Sequence, residues 1–340
     1  MTKNANTDFA PKVVVWESTR ACNYACAHCR AVAQKQPDPH QLTTQEALNM
    51  VDQIAAFCKP IFIISGGDPL HRNDVFVISS YASQLGFRVV MSPSGSDLSE
   101  ASFEKMKQSG VQMISLSLDG ATAIMHDSFR RVPGAFELVM KNITLANAVQ
   151  FPFRINTTVT QHNYQNILSI HKTAIEQGAV EWDVFMLVPT GRGTIDMEIT
   201  PQQYEETLQT IYQLSVSSPI PVKVTCAPQY TRIVAQQTNK EKLAGSRGCM
   251  AGNGFCFVSH IGDVFGCGFL PLRAGSIRQQ SLKEIYQKSS LFIELRNHHL
   301  LKGKCNKCPY NITCGGCRAR AFSTKNNYLE EEPFCIFNAK

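Results

Sequence analysis

The chain has 340 residues, 44% of them apolar and 18% charged, with 33 basic against 27 acidic side chains and a net charge of +6. That balance excludes a disordered chain, and no stretch reaches the roughly 18–20 continuous apolar residues of a membrane span. The basic excess is mild and scattered, which implies no nucleic-acid partner but leaves room for a local basic pocket that takes an acidic small molecule.

Residues 1–12 lack the basic start and apolar run of a signal peptide, so a soluble, cytoplasmic protein is expected. VVVWES (13–18) reads as a buried strand. Thr43 and Glu46 form a capping box that opens a helix with Ala47, Leu48, Val51, Ile54 and Ala55 at helical spacing. The alternation repeats: strand 61–64, helix 74–85, strand 88–92, helix 99–109, strand 112–118, helix 134–149, strand 153–159, helix 164–177 and strand 182–188. Six strands alternating with helices imply parallel pairing through right-handed crossovers, too few to close a standard barrel of eight. After Pro189 come a helix at 201–215, a short strand at 222–225 and a polar stretch, 236–248, that reads as a mobile lid or linker. CFVSHIGDVFGC (256–267) reads as a hairpin turning at Gly262, and 281–287 as a short helix. The tail after 300 is poor in apolar pattern, so metal crosslinks are expected to supply what its core does not.

Thirteen cysteines are an odd number in a chain without an export signal. A disulfide scaffold is short, secreted and above about 8% cysteine, so these thiols point instead to metals or redox chemistry. Cys22, Cys26 and Cys29 follow the first strand directly, and barrel active sites sit where strands end. Three thiolates in one loop ligate three irons of a 4Fe–4S cubane and leave the fourth open to a small molecule. Zinc loops, the alternative, use paired C-x2-C elements.

This loop resembles that of the radical S-adenosylmethionine enzymes, whose open iron is chelated by the amino and carboxylate groups of S-adenosylmethionine. His28 stands where that family usually carries an aromatic residue. Gly66-Gly67-Asp68-Pro69 is similar to the family's GGEP-like turn, with Asp68 replacing Glu. The glycines let backbone approach the ligand, and the carboxylate is expected to accept from its ammonium group. The resemblance also implies that Ser115 or Ser117 faces the ribose; strand alternation puts both on one face and leaves the choice open. It implies that Arg130 pairs with the methionine carboxylate through a bidentate fork. Asn156 with Thr158, and Val188 between Leu187 and Pro189, become neighbours of the hydroxyls and the adenine.

Cys249-x12-Gly262-x4-Cys267, then Cys305-x2-Cys308-x5-Cys314-x2-Cys317, then Cys335, resemble a SPASM extension, which holds two auxiliary 4Fe–4S clusters. With Cys256 there are eight thiols. The family's interleaving implies Cys249, Cys256, Cys267 and Cys317 for the nearer cluster, and Cys305, Cys308, Cys314 and Cys335 for the farther. Cys58 and Cys226 are left over, Cys58 reading as core. The expected fold is therefore α/β: a tail at 1–12, a partial (β/α)6 TIM-type barrel at 13–220, a linker or lid at 221–248, and a SPASM domain at 249–340.

Several segments resemble the haem-biosynthesis branch of this superfamily, the alternative haem synthases in particular. They are Trp16–Arg20, Val132–Phe136, Val188–Gly193, Thr225–Pro228, Cys314–Arg320 and Glu332–Cys335. Ser92–Ser96 departs from the threonine-asparagine-glycine run of those relatives. The resemblance implies reductive cleavage of S-adenosylmethionine to a 5′-deoxyadenosyl radical. Hydrogen is then abstracted from a porphyrin propionate, carbon dioxide is lost and a vinyl group remains, with an auxiliary cluster taking the electron. A donor such as flavodoxin or ferredoxin is implied, as is an acidic tetrapyrrole substrate. Arg20, Arg192, Arg318 and Arg320 are candidates to pair with its carboxylates. Two other readings compete: a peptide-modifying SPASM enzyme, and a non-catalytic iron–sulfur carrier. With about twelve residues before the first strand, the winged-helix peptide-recognition domain of the former is expected to be absent. A carrier ligates its clusters fully, unlike the three-cysteine loop.

Overall fold

The computed structural model describes residues 9–238 and 248–338. Seven strands run parallel in chain order: β1 (Val13–Glu17), β2 (Ile61–Ser65), β3 (Arg88–Met91), β4 (Val111–Ser117), β5 (Phe153–Val159), β6 (Trp182–Met186) and β7 (Val222–Thr225). Three more follow: β8 (Phe255–Val258), β9 (Asp263–Phe265) and β10 (Arg273–Ser276). The whole forms one sheet in the order β10-β9-β8-β1-β2-β3-β4-β5-β6-β7. β8 pairs in parallel with the free edge of β1, Val14 opposite Cys256, so β1 never meets β7 and the barrel stays open.

The six strands read from the sequence are all present, and β7 continues the sheet beyond them. The helix Tyr230–Thr238 packs against the helix Pro201–Ser217. Both β7 and that helix fall in the stretch read as a linker, and both are built into the barrel. Most of the expected lid, 239–247, lies outside the described residues. The predicted hairpin is β8–β9, turning at Gly262 with φ +86°.

Alternation in the strands aims the site. In β5, Phe153, Ile155, Thr157 and Val159 are buried, while Arg154, Asn156 and Thr158 lie on the opposite, less buried face. Trp16, Phe62, Phe103, Phe153 and Trp182 fill the core, each worth about 1.5–3 kcal/mol on full burial. Thr43 caps the helix Thr44–Ala55 as expected, accepting from Glu46 N–H while Glu46 accepts from Thr43 N–H. The helix Ala123–Arg130, which sequence periodicity did not reveal, is capped by Thr122 and ends at left-handed Arg131 (φ +58°). It carries His126 and Arg130 towards the cysteine loop. Among the described residues no helix is long and apolar enough to cross a membrane.

Candidate active site and thiol clusters

Cys22, Cys26 and Cys29 occupy the loop at the C-terminal end of β1, with Cys22 and Cys26 buried. Each sulfur accepts a hydrogen bond from this chain: Tyr24 N–H to Cys22 (3.3 Å), Ala33 N–H to Cys29 (3.4 Å) and Arg130 Nη1 to Cys26 (3.7 Å). Such donors stabilise thiolate charge and tune a cluster's potential. Burial pushes the Cys22 thiol up to about 12, so a metal bound there must displace its proton.

Two segments brace the loop. Gly67 and Asp68 donate their N–H groups to the Thr19 and Ala21 carbonyls, and a Cβ at Gly66 would stand 2.6 Å from Thr19 O. From the loop after β6, Arg192 donates Nε to the Cys26 carbonyl (2.9 Å), Nη1 to Ala33 O (3.1 Å) and its own N–H to Cys29 O (3.0 Å). Gly191, at φ +66°, lies so close that a Cβ would sit 2.5 Å from Cys29 O.

Asp68 is fully buried, and its carboxylate is already occupied. Oδ1 accepts from Leu70 N–H; Oδ2 accepts from the N–H groups of Ser94, Gly95 and Ser96 and from Ser96 Oγ, at 2.8–3.0 Å. It therefore holds the 94–96 loop in place. Pro69 starts the short turn that follows. Asp68→Asn replaces one acceptor oxygen with a donor and removes the charge. Hydrogen bonds to charged groups contribute about 1.5–3 kcal/mol, so a fall in melting temperature of about 5 °C is expected by calorimetry.

A space of about 320 Å3 opens beside this loop, lined by Tyr24, Ser94–Ser96, Ser117, His126, Arg130 and Asn142 among others. The structure thus separates the two serines of β4: Ser117 lines the space, whereas the Ser115 hydroxyl accepts from Arg154 Nε at 2.7 Å. Arg130 is ion-paired with buried Asp119, which also accepts Thr158 N–H (2.7 Å). Asp119 N–H donates to His126 Nδ1 (3.1 Å), and burial pulls that imidazole down to about 4. His28 stacks on Phe129 at 4.4 Å and 2°. Burial pushes His28 down to about 4, with Asp119 opposing and Arg130 and Arg192 adding to the effect.

Three buried polar atoms in the loop or on side chains against it have no hydrogen-bond partner, His28 Nδ1, Arg130 Nε and Arg192 Nη2, and Asn156 Oδ1, on the strand position paired with Ser117, is likewise unpartnered. Each such atom costs about 1–3 kcal/mol. Unsatisfied polar atoms in and against a three-thiol loop fit a polar cofactor such as S-adenosylmethionine next to a cluster.

Cys305, Cys308, Cys314 and Cys335 line a second cavity, of about 430 Å3, as the farther set requires. Among the described residues no three His, Cys, Asp or Glu groups lie close enough to grip a single metal ion. Four thiols around one cavity make the donor set of a 4Fe–4S cubane.

The nearer set needs a correction. Cys249, Cys267 and Cys317 share an apolar cluster with Cys226 and Val188. Burial raises the Cys226 thiol well above its ordinary value, and Cys317, Cys267 and Cys249 each raise it further. Cys256 is instead buried in β8 within the main core, with Cys58 as its thiol neighbour. Alternation along β8 turns it into that core, away from the other three. Val188, expected beside the adenine, sits against the auxiliary thiols.

Three of the four arginines expected at substrate carboxylates are committed elsewhere. Arg192 clamps the cysteine loop. Arg318 donates to the carbonyls of Gly316, Tyr328 and Glu330. Arg320 is fully buried, paired with Glu198 at 2.9 Å and donating to Cys226 O and Leu187 O. Arg20 alone stays open, its side chain 41% exposed beside Glu17. Arg30, which sequence reasoning passed over, pairs with Glu17 (2.8 Å) and stacks over Phe257 at 4.5 Å. Burial would raise the Glu17 carboxyl, yet Arg30 and His260 hold it down at about 2.

Residues 16–190 match the Radical SAM superfamily, and residues 249–309 match SPASM, an iron-sulfur cluster-binding domain. The AdoMet-dependent heme synthase of Methanosarcina barkeri is 45% identical, covering 96% of this chain and 97% of the relative. The AdoMet-dependent heme synthase of Nitratidesulfovibrio vulgaris is 42% identical, over 97% of this chain and 93% of its own. Among solved structures, native anSMEcpe with bound AdoMet superposes with a TM-score of 0.72 over 95% of this chain and 93% of that one; at 18% identity this shows the fold alone. With its three-thiol loop, its open parallel sheet and its cysteine-rich extension, the chain belongs to the radical SAM superfamily, as a SPASM-bearing enzyme of the family that includes the AdoMet-dependent heme synthases.

Proposed function

We propose that this enzyme oxidatively decarboxylates propionate side chains of a haem precursor, iron-coproporphyrin, to vinyl groups. The observation that carries the chemistry is the trio of hydrogen-bonded thiols with three unpartnered buried polar atoms in or against their loop. The substrate class is supported by near-full-length likeness to relatives named heme synthases. Held by Cys22, Cys26 and Cys29, a 4Fe–4S cluster with S-adenosylmethionine would supply the radical chemistry that an unactivated carbon requires.

This chain's residues hold, orient and shield. Cys22, Cys26 and Cys29 ligate the primary cluster, and Arg192 fixes their loop through its carbonyls. Asp68 pins the loop that walls the cofactor space, while Ser117, Asn156 and the free Nε of Arg130 offer it polar contacts. Eight further thiols hold two auxiliary clusters: Cys226, Cys249, Cys267 and Cys317 the nearer, Cys305, Cys308, Cys314 and Cys335 the farther. All thirteen cysteines are free, which suits the reducing cytoplasm. The substrate is an acidic small molecule, and a flavodoxin or ferredoxin delivers the electron.

The test is anaerobic reconstitution followed by incubation with S-adenosylmethionine, a reductant and either iron-coproporphyrin or a short peptide. Mass spectrometry is expected to show successive losses of formic-acid equivalents alongside 5′-deoxyadenosine. Unaltered porphyrin together with a modified peptide would place the enzyme among the peptide maturases instead.

A further inference from the structure

Glu332 is fully buried and lies three residues before Cys335. On one side it touches the farther thiol set: its N–H donates to Cys305 Sγ at 3.3 Å, and its carbonyl accepts the Cys335 N–H at 3.4 Å. Its side chain turns the other way. Oε2 accepts the Cys317 N–H at 2.6 Å, and Oε1 lies 3.6 Å from Arg320 Nη1. That same Arg320 nitrogen donates to the Cys226 carbonyl at 3.1 Å. Cys226 and Cys317 belong to the nearer set.

The packing enforces this placement. Gly316 takes φ +63°, and a Cβ there would stand 2.8 Å from Glu332 Cβ and 3.4 Å from Cys305 Sγ. Only a residue without a side chain lets the Glu332 stem lie so close to the Cys314–Cys317 turn. Arg320 also faces Glu198, so one guanidinium is shared by two buried carboxylates. Charges there act through a low dielectric and are weakly screened.

We propose that Glu332, acting with Arg320, is a positioning residue that couples the two auxiliary sites, so that one buried charge unit sets both reduction potentials. This rests on the reading that each thiol set holds a cluster. Glu332→Gln keeps the shape and removes the negative charge. Both auxiliary midpoint potentials are then expected to rise together, each enough to change the reduced-to-oxidised ratio about tenfold at fixed potential, or about 59 mV for one electron. Glu331→Gln serves as the comparison. Glu331 Oε2 accepts Lys304 N–H on the farther side, so only the farther potential is expected to move.

Redox titration followed by electron paramagnetic resonance on the reconstituted full-length enzyme reads both. If Glu332→Gln moves one auxiliary potential alone, or neither, the coupling is wrong while the two-cluster reading stands. Fewer than two auxiliary signals in the unaltered enzyme overturns both readings. Should Glu332→Gln fail to retain iron, Arg320→Lys is titrated in its place; a shift of both potentials in one direction supports the coupling, and any other result rejects it.

Discussion

Alanine at Cys22, Cys26 or Cys29 is expected to abolish 5′-deoxyadenosine formation and to remove one cluster's iron while leaving the auxiliary signals. Loss of an outer hydrogen-bond partner of a metal ligand costs roughly 10–100-fold, and loss of a ligand itself should exceed that range. Arg192→Ala marks the contrast. Its guanidinium braces the loop through the Cys26 and Ala33 carbonyls without touching sulfur, so a fall within that roughly 10–100-fold window is expected, with iron largely retained. Quantifying iron, sulfide and deoxyadenosine in parallel separates the two classes. An alanine variant that still forms deoxyadenosine at the original rate would remove the three-thiol loop from the chemistry.

What the sequence displayed and what it concealed divide along physical lines. The primary thiols, the GGDP turn and the farther four cysteines were legible because their partners are close in sequence or follow fixed spacings. The strands were legible because apolar runs and turn residues punctuate the first half regularly. Long-range partnerships were not. Arg130 carried the right residue type for a ligand carboxylate, but Asp119, eleven residues earlier, claims its guanidinium. Arg318 and Arg320 read as partners for substrate carboxylates, and only the fold shows Arg318 spent on backbone carbonyls and Arg320 on carbonyls and buried carboxylates. Asp68 had the right position, yet the five donors converging on it come from 70 and from 94–96. Arg30 carried no motif and Glu332 stood only as the first residue of a family-like segment, because their roles depend on which distant segments the sheet brings together.

The ligand set of the nearer site gives the sharpest contrast between the two kinds of information. Cys256 falls within the familiar cysteine run of the extension, whereas Cys226 stands just past β7, inside the stretch read as a linker. The local clues were the likeness of Thr225–Pro228 to the haem branch and its position: strand ends on this face of a barrel carry function. The structure adds that Cys226 adopts φ +63°, a left-handed conformation that costs a non-glycine residue of order 1–3 kcal/mol. The strain is held by hydrogen bonds from Tyr204 Oη (3.2 Å) and Arg320 Nη1 (3.1 Å) to its carbonyl. Cys226→Gly therefore removes the thiol while relieving the backbone, so iron loss in that variant reports ligation rather than misfolding. It is expected to lose one auxiliary cluster, to keep deoxyadenosine formation and to turn over substrate at least about tenfold more slowly, the lower end of what losing an outer partner of a metal ligand costs. Cys256→Ala is expected to keep all its iron and to lose only about 1 kcal/mol of stability, the scale of a small deletion in a packed core. The opposite pattern, iron lost with Cys256→Ala and retained with Cys226→Gly, would return the nearer site to the ligand set that spacing alone implies.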